Sequence, residues 1–506
     1  MHRCLQVPEL SWTSPSSVRR PDHRDLAVLA RTCRIFSSHA LRLLWHSVPL
    51  INLLRLLPRD TFHFTMTETK YIMTPRRPIL QDSDFERLRS FAVYVRSLFC
   101  HPDQADTSAM FESLRLWLSG SMFPTLHAVY WSHQEDDFPF IERFLVPSLT
   151  SIHMPCNFPA ASALISSLAT RCPLLTHIYS SNHAVSAAVS ALSECVRALD
   201  HIQSLSTDAL DRPALDHLSG LPSLRELSLK CFPADFPSPG SQPFFPSLVE
   251  FQVSNLDSAA RFLERGSDIP LARLWALGAE LEPTNYSTPD EMHCLLSAIE
   301  STVSHSSLAD LMLAVGYSPF DRSEASTYTI RASSLRLLLC FNNLTDIAIH
   351  TAVGFDLDDT TILEMARSWP HLEVFRLDTY FGTSQPRTTL SCLEAFAKYC
   401  PHLSMLSMAF DATVVPESHG DFFLKHLTTL EVDVSPISTA ESVAQFIARV
   451  CPRLTLVVTL VHGQDEYWEA NVVPEAFGYD TIWTEVGSIL QGSREEEHHA
   501  AAAAAA

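Results

Sequence analysis

An α/β fold built from repeated strand–helix units is predicted by three observations. The pattern P-x-L-x-x-Φ-x-Φ, with Φ apolar, recurs as 124-PTLHAVYW, 147-PSLTSIHM, 173-PLLTHIYS, 222-PSLRELSL, 246-PSLVEFQV, 370-PHLEVFRL, 401-PHLSMLSM and 452-PRLTLVVT. Degenerate copies without the proline are centred on Ile202, Leu271, Leu308, Leu344 and Leu427, and most intervals between first apolar positions run 22 to 31 residues. The stretches between copies carry helical apolar spacing, as in 362-ILEMARSW, 392-CLEAFAKYC and 443-VAQFIARVC, each ending at the next proline.

Each element has its own warrant. The alternation Φ-x-Φ makes a short strand with one buried face, and the proline ahead of it cannot continue the preceding helix. Four helices are expected to open with a capping box, at Thr288…Glu291, Thr361…Glu364, Ser391…Glu394 and Ser438…Glu441. One strand plus one helix leaves its apolar face bare, so the copies must stack. The expectation is a leucine-rich-repeat solenoid over residues 121–465, with a curved parallel sheet inside and helices outside, preceded by a short all-α segment at 1–60. Residues 61–120 read as a helical linker or N-terminal cap, and 466–506 as a C-terminal cap running into the low-complexity tail 495-EEEHHAAAAAAA. Two longer intervals, around 283-PTNYSTPDEM and 318-SPFDRSEASTYTIRASS, read as loop insertions. Cys172, Cys400 and Cys451 share one repeat position and are expected as small buried thiols at the helix-to-strand corner.

Composition excludes several functions. A chain of 506 residues that is 46% apolar buries a large core, and its thirteen glycines leave little material for phosphate-cradling loops. The formal charge of −21 repels phosphate backbones and anionic membranes, so nucleic acid and membrane partners are not expected. Neither the twelve scattered cysteines nor the 23 histidines form a metal-ligand motif, and no nucleophile or nucleotide motif is present. The reading is a non-enzyme without cofactor or metal, with reduced thiols, in cytoplasm or nucleus. The acidic run 356-DLDDTTILE lacks the glycine and terminal glutamate of a calcium loop and reads as a helix entry.

The first 60 residues differ in kind. Leu26, Leu29, Ala30, Cys33 and Phe36 lie on one helical stripe, Leu41, Leu44, Trp45 and Val48 on a second, and 51-INLLRLL follows. With 7-VPEL at the start and Leu44-Trp45 at the end, this segment resembles an F-box, and the chain as a whole resembles a fungal F-box protein with a leucine-rich-repeat-like substrate domain. The resemblance implies a Skp-type adaptor, bound through Pro8, Glu9, Leu26, Leu29, Cys33, Phe36, Leu41, Leu44 and Trp45, and through it a cullin–RING ubiquitin ligase. The departure is 11-SWTSPSSVRRPDHR, where the family carries its first amphipathic helix; Pro15 and Pro21 exclude one of useful length. Either a local disturbance of the reading frame or decay of the F-box produces such a block between intact flanks. Decay would leave an adaptor-independent repeat scaffold.

Residues between the apolar positions of each strand should face the concave side, where solenoids bind partners. Those carrying charge are Glu226, Lys230, Glu250, Arg273, Asp310, Asp346, Arg376, Asp378, Glu431 and Asp433. Of these, Asp346, Arg376, Asp378, Glu431 and Asp433, with His350, are the candidate substrate-binding residues, and the excess of acids predicts a partner with a basic segment.

Overall fold

The computed structural model describes residues 23–32, 34–66, 71–76, 80–101, 105–106, 111, 122–132, 135–181, 185–233, 244–254, 256–266, 268–277, 288–314, 329–351, 353–379, 385–417, 422–459 and 478–492. The chain divides into two compact units, residues 1–202 and 203–506. In the first unit, β1 (Ser47–Pro49), β2 (Ser97–Cys100), β3 (Ala128–Trp131), β4 (Ser151–Pro155) and β5 (His177–Ser181) pair in parallel in sequence order. In the second unit the same order holds for β6 (Ser204–Thr207), β7 (Glu226–Leu229), β8 (Glu250–Val253), β9 (Arg273–Leu277) and β10 (Asp310–Ala314). It continues through β11 (Asp346–Thr351), β12 (Val374–Thr379), β13 (Met405–Ser407), β14 (Thr429–Glu431) and β15 (Leu456–Val458). This is the leucine-rich-repeat arrangement.

The repeated motif has a definite geometry. In the proline copies, the leucine N–H closes a turn onto the carbonyl three residues back, as in Leu126 to Phe123 (3.1 Å), Leu175 to Cys172 (3.2 Å), Leu372 to Trp369 (3.2 Å), Leu403 to Cys400 (3.2 Å) and Leu454 to Cys451 (3.2 Å). Proline therefore sits at the second position of a β-turn, where its fixed φ is already correct and its missing donor is not needed. All thirteen marker residues are buried, from Leu126 to Leu454. The residue that accepts the turn bond is usually an anchor in the core: Phe123, Cys172, Phe245, Trp369, Cys400 and Cys451 are all buried, while Val146, which accepts from Leu149, is half-buried. Burial pushes the thiols of Cys172, Cys400 and Cys451 up to about 12, so they are inert packing groups, as the repeat position suggested.

A second bond set joins repeat to repeat. One carbonyl accepts from two successive N–H groups of the next repeat: Arg96 O from His127 and Ala128, His127 O from Thr150 and Ser151, Ala309 O from Thr345 and Asp346, Thr428 O from Thr455 and Leu456. Where the first of these two residues bears a hydroxyl, it donates to that carbonyl as well, as Thr150, Thr345 and Thr455 do. Apolar residues then align in register across the second unit as Leu205, Leu227, Phe251, Leu274, Leu311, Ile347, Phe375, Leu406, Leu430 and Val457.

Several expectations need correction. The parallel sheet begins at β1, well before residue 121, and β2 lies within the stretch expected to be a helical linker. That stretch also contains an antiparallel pair, Phe62–Met66 with Tyr71–Pro75. Of the four capping boxes only Thr288…Glu291 forms reciprocally, at 3.2 and 2.9 Å. Asp358 displaces Thr361 as the cap of the helix Asp359–Ser368, and Glu364 instead pairs with Arg336 at 2.7 Å. Ser391 is already helical and makes no side-chain cap bond, and the helix Ala440–Val450 starts behind Thr439, also without one. Asp358 does bear out the helix-entry reading of the acidic run.

At the C-terminal end a helix over 478–492 buries Trp483, Val486 and Leu490, and the Trp483 indole donates to Ser435 O at 2.9 Å. Both insertion loops fall largely, and the tail beyond 492 wholly, outside the described residues. Among the described residues no helix is long and apolar enough to cross a membrane.

Leu372→Ala removes a side chain with no solvent exposure at the turn of β12 and should cost about 2–5 kcal/mol through the cavity it leaves. Urea denaturation of both chains measures this, and a loss below about 1 kcal/mol would contradict a packed repeat core.

Candidate interaction site

Two places concern the candidate residues. The first is a pair of helices, α1 (His23–Thr32) and α2 (Arg34–Leu44), which pack on one another. Leu26 on α1 and Ala40 on α2 are buried, whereas Val28, Leu29 and Leu43 are exposed. Leu41, Leu44 and Trp45 are half-buried, and the Trp45 ring lies 4.8 Å from that of Phe91, on the helix Glu86–Ala92. Val48, two residues after His46, is already buried in β1. Pro8, Glu9 and Cys33 lie outside the described residues, as does the divergent block up to residue 22, and the side chain of Phe36 is not described.

The second place is the solvent face of β7–β14 in the other unit. Register sets its side chains in rows. One row runs Glu226, Glu250, Arg273, Asp310, Asp346 across five neighbouring strands. Arg273 at its centre pairs with Glu250 and, at 3.8 Å, with Asp310. Asp310 also accepts from the Trp275 indole at 3.1 Å; burial, with Asp346 as a like-charged neighbour, raises its carboxyl pKa despite that bond and Arg273. Neither Glu226 nor Asp346 has an ion-pair partner among the described residues, so four acids share a single arginine.

A second group is self-contained. Arg376 donates to Asp378 at 3.0 Å and to Glu431 at 3.3 Å, Ser407 donates to the other Asp378 oxygen, and His350 Nδ1 stands 3.3 Å from Asp378. Burial lowers the His350 pKa despite Asp378, and its buried Nε2 has no hydrogen-bond partner. These side chains mostly satisfy one another rather than standing open to a ligand.

Asp433 departs from the expected geometry. It follows β14 with φ of 43°, in the left-handed region, and is only 7% exposed, so it does not stand on the open face. Thr379 Oγ1 and the Val434 N–H donate to its two oxygens at 2.6 and 2.7 Å. Desolvation nevertheless outweighs both bonds and pushes its pKa up to about 7.

Sequence reasoning missed a further feature of the first unit, an aromatic ladder. Phe99, Tyr130, His153 and Tyr179 occupy one register position on β2–β5. Their rings stack in succession at 4.4, 4.2 and 4.0 Å, with planes within 27° of parallel. The signal was present: Phe99, Tyr130 and His153 each lie between the two apolar positions of the strand, and Tyr179 follows Ile178 at the same position.

No protein-family model matches the sequence, and no curated protein matches it. Among solved structures, an internalin from Listeria monocytogenes is similar over 78% of this chain and 87% of its own, at 12% identity and a TM-score of 0.33. The yeast complex of Rad7 and Elc1 is similar over 74% of this chain and 86% of the matched chain, at 12% identity and a TM-score of 0.30. The repeat architecture itself rests on the register and burial described above.

Asp433 sets a pH dependence. Its folded pKa of about 7 lies above the ordinary 3.8, so the folded state holds the proton more tightly than the unfolded chain. The stability this contributes is complete below about pH 4 and is lost as pH rises through about 7. Asp433→Asn keeps a residue that tolerates positive φ and should lose less stability than the native chain between pH 5 and pH 8. Denaturant titrations at the two pH values measure the difference; equal losses would mean that Asp433 ionises normally.

Proposed function

We propose that the chain is a non-catalytic substrate receptor of an SCF-type cullin–RING ubiquitin ligase. In this reading α1 and α2 take a Skp-type adaptor, and the solvent face of β7–β14 holds a protein substrate, in cytoplasm or nucleus. The observation that carries it is the outward apolar surface of the helix pair. Val28, Leu29 and Leu43 are exposed on two short helices that lead directly into the first repeat strand. Exposed apolar side chains gathered on one small element mark a binding surface more often than isolated ones do. Pro8, Glu9, Cys33, Phe36, Leu41, Leu44 and Trp45 belong to the same proposed surface through the F-box resemblance.

A second reading has its own support. Trp45 lies on Phe91, so part of the residue assigned to the adaptor is used to seat the helices on the repeats. With residues 11–24 unable to form the family's first helix, the pair would then be a cap on an adaptor-independent scaffold.

Co-precipitation of the full chain with a purified Skp-type adaptor separates the two. The receptor reading expects retention, and its loss in Leu29→Asp/Leu43→Asp, since each buried apolar side chain contributes roughly 1.5–3 kcal/mol. Failure of the native chain to retain the adaptor would leave the scaffold reading.

The substrate side of the proposal centres on the acidic row. A basic segment would pair first with Glu226 and Asp346, the two acids left without a cation among the described residues, and then with Asp378 and Glu431 by competing with Arg376. Asp346→Lys should weaken binding of a fluorescein-labelled (Lys-Pro-Leu)4 peptide by about tenfold and flatten its salt dependence. Asp346 is the better probe than Asp378, whose reversal would strand Arg376 beside a second cation. Unchanged binding in Asp346→Lys would remove this row from the recognition surface.

A further inference from the structure

The aromatic ladder lies in the unit that carries none of the acidic row. Side chains that stand off a sheet and stack along the strand-to-strand direction use up their ring faces on one another. Only the outer faces at the two ends of the stack and the ring edges remain, and the edges form the exposed margin. Phe99, Tyr130, His153 and Tyr179 are all half-buried, so that margin meets solvent. At the first strand, Pro49 holds the register position beside Phe99.

Ring edges carry the positive part of the aromatic quadrupole. A cationic partner needs a ring face, which the stacking removes. An anionic partner is matched by the edges and by what surrounds them. Arg96, exposed at the N-terminal edge of the ladder, leans on the His127 ring at 3.3 Å. His101 and His177 stand beside Phe99 and Tyr179, at 5.9 and 6.4 Å between rings. Burial beside His177 lowers the pKa of His153 to about 4, which makes it a neutral rung rather than a charge. Among the described residues no Asp or Glu occurs in β1–β5, in a chain whose formal charge is −21. The absence of acids is therefore local and runs against the composition.

We propose that the solvent face of β1–β5 is a docking surface for an acidic peptide segment in extended conformation. Its carboxylates would accept from Arg96 and from the imidazole N–H groups of His101 and His177, while His127, whose Nδ1–H donates to Thr125 O at 2.6 Å, orients Arg96; its apolar residues would lie along the ring edges. Four rungs at strand spacing cover roughly 15 Å, the length of about five extended residues. Nucleic acid fits less well, because its bases need open ring faces, which the stacking removes.

The test uses the full chain and fluorescence anisotropy of a labelled (Glu-Pro-Leu)4 peptide. The native chain should bind it saturably. Arg96→Glu and Tyr130→Ala should each weaken binding by about tenfold or more, while Asp346→Lys leaves it unchanged. Arg96 is exposed, so its reversal tests the surface even where Tyr130→Ala impairs folding. The basic (Lys-Pro-Leu)4 peptide should not be weakened by Arg96→Glu. The proposal is overturned if the acidic peptide fails to bind, or if Arg96→Glu leaves its binding unchanged. It is equally overturned if a ten-nucleotide single strand binds with the same dependence on Arg96 and more tightly, since the occupant would then be nucleic acid.

Discussion

The structure depends most on one shared acceptor per repeat. A single backbone carbonyl receives two successive N–H groups from the next repeat, as Thr345 O receives those of Glu373 and Val374. Two donors on one acceptor fix the register of the incoming strand to the residue, and a slip by one would turn every apolar side chain to solvent. With the register pinned, the leucine of each turn reaches the core and the residue between the two apolar positions must face outward. The proline of the motif serves this arrangement by presetting the turn that delivers the leucine. Buried Cys, Phe and Trp interchange at the position that accepts the turn bond, because what is required there is a backbone carbonyl and an apolar volume.

The same register explains why outward residues act as rows rather than singly. Side chains at one position on neighbouring strands stand about 5 Å apart, close enough for each to be the next one's main environment. Like charges in such a row destabilise unless a counter-charge interrupts them, and Arg273 does so between Glu250 and Asp310. Burial, with the uncompensated Asp346 beside it as a lesser contribution, makes the carboxyl of Asp310 harder to ionise. Partly exposed pairs of this kind add only about 0–1 kcal/mol to stability. Retaining four acids around one arginine is thus poorly explained by folding alone. In the first unit the position of Phe99, Tyr130, His153 and Tyr179 is filled by planar rings, and at that spacing rings stack.

Much of this was legible in the chain. The markers could be read because eight of the thirteen are announced by a turn proline and the rest by the same spacing, and all of them proved buried. Strands β1 and β2 escaped because 47-SVP and 97-SLFC have no such proline, and Leu44, Trp45 and Val48 also satisfy a helical spacing. Tertiary pairing overrode that local pattern. Three capping boxes failed for a related reason, since a hydroxyl–glutamate spacing says nothing about a stronger cap upstream, such as Asp358. The charged rows were visible as a list of residues, but not which of them would cancel. Asp433 could not be placed, because its left-handed backbone turns it inward just past the end of a strand. The ladder was overlooked because each of its rings looks unremarkable within its own repeat and becomes a feature only when four repeats are aligned.

The helix pair at the N-terminus raises a question that packing alone does not answer. If α1 and α2 served only to seal the first repeat, their apolar residues would be expected to turn inward, as Leu26, Ala40 and Val48 do. Trp45 satisfies part of that demand by lying on Phe91. Val28, Leu29 and Leu43 do not, and they face solvent, as Leu174 and Leu456 also do among the repeats. The contrast is sharpest between neighbours: Leu43 is exposed, while Leu50, seven residues on and already in the repeat core, is not. Three apolar side chains exposed on one pair of short helices are the physical reason for reading the pair as an interface and not only as a cap.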